Sequence, residues 1–271
     1  MKYSVIYSKT KRSVAAQDSK NAYFLEKAGY INQIAAGVYV YMPLALRVIR
    51  KIEQIIREEM NALGASEVSF SALQPRSTWE KSGRWEDKSF QSIVYEDTES
   101  KMTLGATHEE PMVQIVSQSV NSYRDLPVLL YQFQTKFRKE LRAKSGLLRG
   151  REFKMKDLYS FHPDQKSHDQ FYEAAAQAYL KIFDRLSLKA YRVKASGGVF
   201  SKEYSDEFQV ICPTGEDEIW LNVQTELGYN AEVIDQLKPA ERKPLKKQTS
   251  IEVGNIFHLG SKYPDAFNFK Y

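Results

Sequence analysis

The chain has 271 residues, enough for one large domain or one and a half domains with a substantial core. It is 42% hydrophobic and 27% charged, and its net charge of +5 is compatible with a nucleic-acid partner without establishing one. The single cysteine, Cys212, excludes a disulfide framework and a cysteine-based zinc site, and no apolar run has the length of a signal peptide core or a membrane span. These features predict a cytoplasmic protein without membrane contact.

The predicted elements favour an α+β fold, with helices packed on an antiparallel sheet. The clearest helix lies between Pro43 and Gly64, where apolar residues recur at helical spacing and where Pro and Gly stand at the positions that helix ends prefer. The strands occur in hairpins and neighbouring runs, without the regular alternation with helices that a parallel sheet requires. The predicted helices cover residues 18–28, 44–63, 108–120 and 167–187, and the predicted strands cover 37–43, 66–75, 128–137, 154–161, 189–195, 207–213, 218–223 and 250–258.

Residues 137–153, FRKELRAKSGLLRGREF, carry four arginines between two segments rich in strand formers. The pattern predicts a β-hairpin whose charges lie at its tip and inner face. Because side chains alternate along a strand, the residues that share one face are Arg138, Glu140 and Arg142 on the outgoing strand, and Arg149, Arg151, Phe153, Met155, Asp157 and Tyr159 on the returning strand.

Two interpretations of this face remain open from spacing alone. Arginine's planar fork suits phosphate and carboxylate oxygens, a phenyl ring can stack on a purine, and Glu140 can accept from an exocyclic amine, so the face can form a nucleotide site. The alternative is a solvent-exposed hairpin with cross-strand Arg–Glu pairs, each of which contributes little.

Several stretches in a fixed order resemble one family, the class II aminoacyl-tRNA synthetases, and within it the bacterial-type prolyl-tRNA synthetases. FRKELR…RGREF resembles motif 2 of class II enzymes, and residues 28–75 resemble motif 1. KSGRW and LGATHEEP resemble the proline-recognition segments, although Ala106 stands where the family usually has a proline. The stretches EFQVICPTGEDEI and IEVGNIFHLGSKY are similar to the family's later core strands.

The resemblance implies a six- or seven-stranded antiparallel catalytic sheet that binds ATP, Mg²⁺ and proline. Arg138 would bridge the α-phosphate and the proline carboxylate and is the expected catalytic residue. The expected proline-binding residues are Thr107, Glu109, Arg138, Met155, Asp157, Tyr159 and Phe257. The expected ATP-binding residues are Arg138, Glu140, Arg149 (or Arg142), Phe153, Glu252 and Asn255, with Glu252 and Glu207 as the candidate metal ligands.

The domain organisation implied by the resemblance is a class II synthetase catalytic domain over residues 1–271, incomplete at its C-terminus. Residues 232–250 form a short linker where bacterial members usually carry an inserted editing domain. The chain ends before any G-x-G-x-x-R of motif 3 and before an anticodon-binding domain. We therefore expect the chain to be a piece of a longer protein and to be inactive by itself.

The implied function is that of a proline–tRNA ligase, which forms prolyl-adenylate from proline and ATP and transfers the prolyl group to tRNA(Pro). A homodimer through residues 44–63 and 66–75 is expected. The alternative is a truncated, non-catalytic module that binds tRNA or a partner protein. His108 lies between two expected proline ligands, but we interpret it as a packing or hydrogen-bonding residue, because an ionised carboxylate nucleophile needs no base.

Overall fold

The computed structural model describes residues 5–15, 19–141, 146–198 and 204–270. The chain divides into two compact units. The first comprises residues 1–57, 65–161 and 263–271, and the second comprises residues 58–64 and 162–262. Each unit is described by itself.

The helices and strands agree with the α+β prediction. In the described ranges the α-helices are α1 (Lys20–Lys27), α2 (Pro43–Ala62), α3 (Arg76–Lys81), α4 (Lys88–Ile93), α5 (Glu109–Ser119), α6 (Gln165–Arg185), α7 (Pro239–Arg242) and α8 (Lys262–Ala266). The strands are β1 (Ile31–Ala35), β2 (Val38–Tyr41), β3 (Ser66–Glu67), β4 (Leu73–Pro75), β5 (Glu96–Asp97), β6 (Met102–Leu104), β7 (Val128–Phe137), β8 (Glu152–Phe161), β9 (Ala190–Ser196), β10 (Tyr204–Ile211), β11 (Asp217–Asn222), β12 (Leu227–Asn230) and β13 (Lys246–Ile256).

The first unit is organised around the β7–β8 hairpin. The two strands pair antiparallel from Val128↔Phe161 to Phe137↔Glu152, and β3 adds to β7 in parallel. A second sheet has the order β4-β6-β5. Next to it, the segment from α3 to α4 buries an aromatic cluster that is centred on Trp79, Trp85 and Phe90.

The second unit is a five-stranded closed barrel with α6 packed on its outside. The strand order is β10-β13-β11-β12-β9, and the pairs are antiparallel except for β12 with β9, which closes the barrel in parallel. Phe208 of β10 packs against Phe183 and Ala176 of α6, so its side chain faces outward from the barrel. The neighbouring residues of β10 point to the other side, because side chains alternate along a strand. Val193 and Ile219 belong to a separate buried cluster within the barrel strands.

The prediction of one continuous strand over residues 66–75 is wrong. Only Ser66–Glu67 and Leu73–Pro75 are strands, and they belong to different sheets. Between them, the side chains of β7 replace the backbone ladder, since the Phe70 amide donates to Oε1 of Gln132 at 3.1 Å and Gln134 donates to the Phe70 carbonyl. Glutamine side chains therefore hold the chain at a distance from β7 that excludes strand pairing.

The predicted hairpin is confirmed, but its charged tip does not continue the strands. Strand β7 ends at Phe137 and β8 begins at Glu152, so Arg138, Glu140 and Arg149 lie outside them, while Arg142 falls outside the described residues. The returning backbone is diverted before β8, because the Arg151 amide donates to the carbonyl of Gly37 at 2.8 Å.

A single six- or seven-stranded sheet, as the resemblance implied, is not found in the described ranges. The strands form sheets of two, three and three strands and the five-stranded barrel. Residues 232–250 contain a 3₁₀ turn at Ile234–Gln236, helix α7 and the start of β13, and they bury Val233, Ile234 and Leu245. Among the helices of the described residues, none combines the length and apolar character needed to cross a membrane.

Candidate active site

One face of the β7–β8 hairpin gathers four of the predicted site residues of the first unit. Phe153, Met155, Asp157 and Tyr159 alternate along β8, so they share a face as the sequence predicts. Their cross-strand partners on β7 are Lys136, Gln134, Gln132 and Leu130, whose side chains lie on the same face because directly opposite residues in an antiparallel pair point to the same side.

Arg138 and Phe153 are in contact at the end of the hairpin. The Arg138 guanidinium lies over the Phe153 ring at 5.3 Å from its centroid, and its Nε donates to the carbonyl of Ala106 at 3.2 Å. Glu140 and Arg149 approach each other to 3.8 Å and are both partly exposed. The arrangement offers a planar cation and an aromatic ring side by side, with a second, looser ion pair beyond them.

The loop before α5 positions the predicted Thr107 and Glu109. The Thr107 hydroxyl lies 2.6 Å from each carboxylate oxygen of Glu109, and Tyr159 of β8 approaches Oε1 at 3.5 Å. Glu109 is the first residue of α5, where the helix dipole favours a negative charge. A buried carboxylate is therefore brought to the hairpin face that carries Tyr159.

Arg84 joins Glu109 to its neighbour Glu110. Its Nη1 donates to Glu109 at 2.9 Å and to Glu110 at 3.2 Å, and its Nη2 donates to the Tyr263 hydroxyl at 2.6 Å. Ser82 donates to the other oxygen of Glu110 at 2.8 Å. One guanidinium thus serves two buried carboxylates.

The two carboxylates differ in their preferred charge. Burial raises the pKa of Glu110 to about 7, with Glu109 adding to the rise and Arg84 opposing it. Burial also acts to raise the pKa of Glu109, but Arg84 and the Thr107 hydrogen bond outweigh it, so that the pKa of Glu109 lies below its ordinary value. Glu109 is consequently the stable anion of the pair.

A buried polar chain lies beside this pair. Lys136 is fully buried and donates to the Asp157 carboxylate at 3.0 Å and to Nδ1 of His108, while Nε2 of His108 lies 3.3 Å from the Ser71 carbonyl. Burial, reinforced by Lys136, lowers the pKa of His108 to about 4. His108 is therefore a neutral hydrogen-bonding residue, as the sequence interpretation had it.

The second unit holds the predicted residues of the phosphate and metal region. A bulge in the β10–β13 pair, between Phe208↔Gly254 and Gln209↔Glu252, places Glu252 and Asn255 on one face although they are three residues apart. Asn255 donates to Glu252 at 2.8 Å, and Glu207, directly opposite Asn255, accepts from Asn230 at 2.9 Å. Phe257 follows the end of β13 and is half-buried.

The donor chemistry of this face fits Mg²⁺ only together with another oxygen source. Within the described part of the chain, no group of three or more His, Cys, Asp or Glu side chains is arranged to hold a metal ion. Glu207 and Glu252 supply two carboxylates on one sheet face, and burial raises the pKa of Glu207. Mg²⁺ is commonly bound by one or two carboxylates together with substrate phosphates and water, and this pair meets that requirement.

Comparison with known proteins identifies the family. Residues 90–271 match the tRNA synthetase class II core domain (G, H, P, S and T). The chain belongs to this family. It is 38% identical, over its whole length, to the proline–tRNA ligase of Anaplasma phagocytophilum (strain HZ), of which it spans 68%. It is 43% identical over 84% of its length to the proline–tRNA ligase of Fervidobacterium nodosum, of which it spans 40%.

Solved structures agree on the fold of this class II core. The prolyl-tRNA synthetase of Giardia lamblia in complex with prolyl-adenylate matches with a TM-score of 0.69 at 18% identity, covering 90% of this chain and 45% of that one. The Cryptosporidium parvum enzyme complexed with L-proline and AMP matches with a TM-score of 0.68 at 14% identity over 90% of this chain and 44% of that one. The chain thus spans less than half the length of each of these two structures.

Several residues of this class II site were not predicted from the sequence. They are Arg84, Glu110, Gln132, Lys136 and Tyr263. A signal for two of them was present, because in VLLYQFQTKF the polar residues Gln132, Gln134 and Lys136 recur every second position and therefore share a face. For the contact between Arg84 and Tyr263, which are 179 residues apart, no local signal exists.

Proposed function

We propose that this chain is the catalytic domain, over residues 1–271, of a proline–tRNA ligase. The observation that carries the proposal is the buried carboxylate of Glu109, which is held ionised by Arg84 and Thr107 beside Tyr159. A cyclic secondary ammonium needs a buried counter-charge of this kind. Thr107, Met155, Asp157, Tyr159 and Phe257 would complete the proline pocket.

ATP would bind along the hairpin end. Phe153 would stack on adenine, Glu140 would accept from its exocyclic amine, and Arg149 would contact the triphosphate. Glu252 and Asn255 would lie near the phosphates, and Glu252 with Glu207 would hold Mg²⁺. When bound, Mg²⁺ neutralises negative charge on the phosphates. These roles are supported by the class II family and by the donor types at these positions.

The proposed reaction has two steps. An oxygen of the proline carboxylate attacks the α-phosphorus of ATP, a P–O bond forms, the α–β bridging P–O bond breaks, and pyrophosphate leaves. Arg138 would hold both reactants and stabilise the charge that develops, and no base is required since the nucleophile is already ionised. A terminal ribose hydroxyl of tRNA(Pro) then attacks the prolyl carbonyl carbon, AMP leaves, and the hydroxyl proton is released.

Arg138→Ala tests the first step. Proline-dependent exchange of pyrophosphate into ATP should fall by roughly 10²–10³-fold, the usual loss for one preorganised donor. Arg138→Lys should also fail, because one ammonium cannot replace the bidentate fork. Near-normal exchange in either folded variant would contradict the placement of the site. Exchange is measured in the full-length protein, and its absence in the full-length wild type would instead favour a non-catalytic module that binds tRNA or a partner.

A homodimer is part of the proposal. Apolar side chains stay exposed on the segments that resemble motif 1, since Leu46 is 39%, Val48 is 44% and Leu73 is 55% exposed. Such exposed apolar groups are typical of a self-association surface. Leu46→Glu combined with Leu73→Glu should shift the mass by light scattering from dimer to monomer. Leu188→Glu, at a position that is also 39% exposed, should leave the dimer intact. A monomeric full-length wild-type protein at high micromolar concentration would overturn this part.

A further inference from the structure

Lys136 is a cation that the proposed chemistry does not use. It lies one position before the end of β7, its side chain is fully buried, and it faces the same side as Phe153 and Asp157. Lysine is rarely buried without a partner, because removing an ammonium from water is costly. Its position beside the proposed proline pocket therefore requires an explanation.

The contacts of Lys136 fix the state of His108. An ammonium can only donate, so Nδ1 of His108 must be the acceptor of the Lys136 hydrogen bond. The proton of the neutral ring is then on Nε2, which donates to the Ser71 carbonyl at 3.3 Å. Both ring nitrogens are committed, and the imidazole cannot rotate without breaking two buried hydrogen bonds.

The same ammonium also holds Asp157. Lys136 donates to its carboxylate at 3.0 Å, and Gln132 donates to it at 2.9 Å. Gln132 in turn accepts from the Phe70 amide at 3.1 Å. Lys136 thus belongs to a hydrogen-bond network that connects β7, β8, residues 70–71 and the loop before α5.

The loop that this network holds has no spare room. A Cβ at Gly105 would lie 2.9 Å from both Nε2 of Gln74 and Cε1 of His108. Gln74 donates to the Thr107 carbonyl at 3.2 Å. A shift of the His108 ring would therefore displace the residues on either side of it, Thr107 and Glu109.

The charges around Lys136 give it a second effect. The charged or titratable groups that act on it are Asp157, Glu109, Arg138 and the neutral His108. The positive charge of Lys136 neutralises the Asp157 carboxylate. The positive charge of Arg84 can neutralise only one of the two carboxylates that it contacts, Glu109 and Glu110. Without Lys136, Asp157 is a second buried carboxylate near Glu109, and it either takes up a proton or competes for a cation.

We propose that Lys136 is a positioning residue for the amino-acid substrate: it neutralises Asp157 and anchors His108, so that Glu109 is the group that receives the substrate's ammonium. The inference rests on the proposed function. It assigns Lys136 to binding of the amino acid and gives it no part in binding ATP.

Lys136→Met, which keeps the length of the side chain and removes the charge, is the test in the pyrophosphate exchange assay. The KM for proline should rise at least tenfold, while the KM for ATP stays within twofold. Lys154→Met is the matched control, because Lys154 alternates to the other face of β8 and pairs with Glu53 at a partly exposed position. The control should leave both constants within twofold.

The double variant Lys136→Met/Asp157→Asn distinguishes positioning from general damage. If Lys136 acts through Asp157, the proline KM of the double variant should rise at least threefold over wild type but stay below the product of the two single effects. Effects that multiply, or a proline KM within twofold of wild type in Lys136→Met, would overturn the proposal. Equal rises in the two KM values would overturn it as well.

The folding of each variant is checked by thermal unfolding. If Lys136→Met does not fold, the double variant provides the test, because it removes both charges together. A proline KM within twofold of wild type then overturns the proposal, and a selective rise in the proline KM of at least threefold supports it. All exchange assays use the full-length protein. If the full-length wild type shows no proline-dependent exchange, the proposed function itself is refuted. If the full-length wild type and Lys136→Met both show normal exchange, only the inference about Lys136 is overturned.

Discussion

Glu109 and Glu110 are adjacent in sequence and buried together, yet they hold their protons differently. Arg84 is closer to Glu109, at 2.9 Å against 3.2 Å, and Thr107 adds a hydroxyl within 2.6 Å of both Glu109 oxygens. Two like charges this close cannot both be ionised at low cost, so the carboxylate with the stronger interactions with Arg84 and Thr107 keeps the charge. Glu109 remains available to a cationic substrate, and Glu110 takes the proton.

Glu110→Gln should remove a pH dependence of folding stability. In the unfolded chain the carboxyl has its ordinary pKa of 4.5, while burial raises it to about 7 in the folded protein. Between these values the folded state keeps a proton that the unfolded state releases. The contribution of this carboxyl to the free energy of unfolding is therefore fully present below pH 4.5 and is lost as pH rises through 7. Glutamine is neutral at every pH and can still accept from Arg84.

The free energy of unfolding of Glu110→Gln should therefore equal that of wild type at pH 4.5. At pH 8 it should exceed that of wild type by on the order of 1–3 kcal/mol. Urea titrations at the two pH values provide the measurement. Glu86→Gln, a substitution of an exposed carboxyl on the neighbouring 3₁₀ turn, serves as the control. A stability difference between Glu110→Gln and wild type that does not change with pH would contradict the assignment of the proton to Glu110.

The residues that were predictable from sequence are those governed by local periodicity. The shared face of Phe153, Met155, Asp157 and Tyr159 follows from alternation along one strand, and the structure has it. The contact of Lys136 with His108 does not follow from any pattern, because it joins residues 28 positions apart through the approach of a loop to a strand. Residue roles in binding remain proposals at both kinds of position.

At the scale of elements, helices were predicted more accurately than strand ends. Helix α2 runs from Pro43 to Ala62 and is followed by Gly64 at φ +82°, as the Pro and Gly positions indicate. The segment 66–75 alternates like a strand, but Gln132 and Gln134 on β7 occupy the hydrogen-bonding groups of Phe70. A side chain on a distant strand thus overrides a local pattern, which sequence periodicity cannot reveal.

Gly215→Ala tests how closely the barrel strands approach each other. Gly215 lies in the turn between β10 and β11, and a Cβ there would be 2.0 Å from the Ser250 carbonyl oxygen. The obstacle is the backbone of β13, which cannot rotate away as a side chain can. The substitution should therefore lower the free energy of unfolding by about 1–3 kcal/mol.

Gly254→Ala is the matched control on the same barrel. Its Cβ would meet Cζ of Phe183 at 3.3 Å, and a side-chain ring can shift by the few tenths of an ångström required. The loss should stay below about 1 kcal/mol, the range in which Gly-to-Ala changes fall when space is available. Equal losses in the two variants, measured by chemical denaturation, would contradict the close approach at Gly215.

At the scale of the whole molecule, residues 232–250 bear on whether the proposed enzyme could remove a wrongly attached amino acid. In the bacterial-type enzymes that the sequence resembles, an editing domain is usually inserted at this place. Here the segment is short and packed, with Val233, Ile234 and Leu245 buried and with β13 starting at Lys246. It contains no second hydrolytic site of domain size.

If the protein has the proposed activity, we expect its rejection of alanine to depend on the proposed proline pocket. Alanine is smaller than proline and fits any pocket that admits proline, and each missing methylene allows a discrimination of only about 1–3 kcal/mol. We therefore expect the protein, if it has the proposed activity, to form alanyl-tRNA(Pro) at a measurable rate and to leave it intact. Either a separate deacylase removes this product in the cell, or Met155, Tyr159 and Phe257 restrict the pocket.

Incubation of the purified full-length protein with preformed alanyl-tRNA(Pro) separates synthesis from hydrolysis. The ester should decay at the rate seen in buffer, and adding an editing-competent deacylase should accelerate the decay, which shows that the substrate is intact. Mischarging itself is followed as alanine-dependent pyrophosphate exchange and as alanine attached to tRNA(Pro). Decay well above the buffer rate with the full-length protein alone would contradict the expectation that editing is absent.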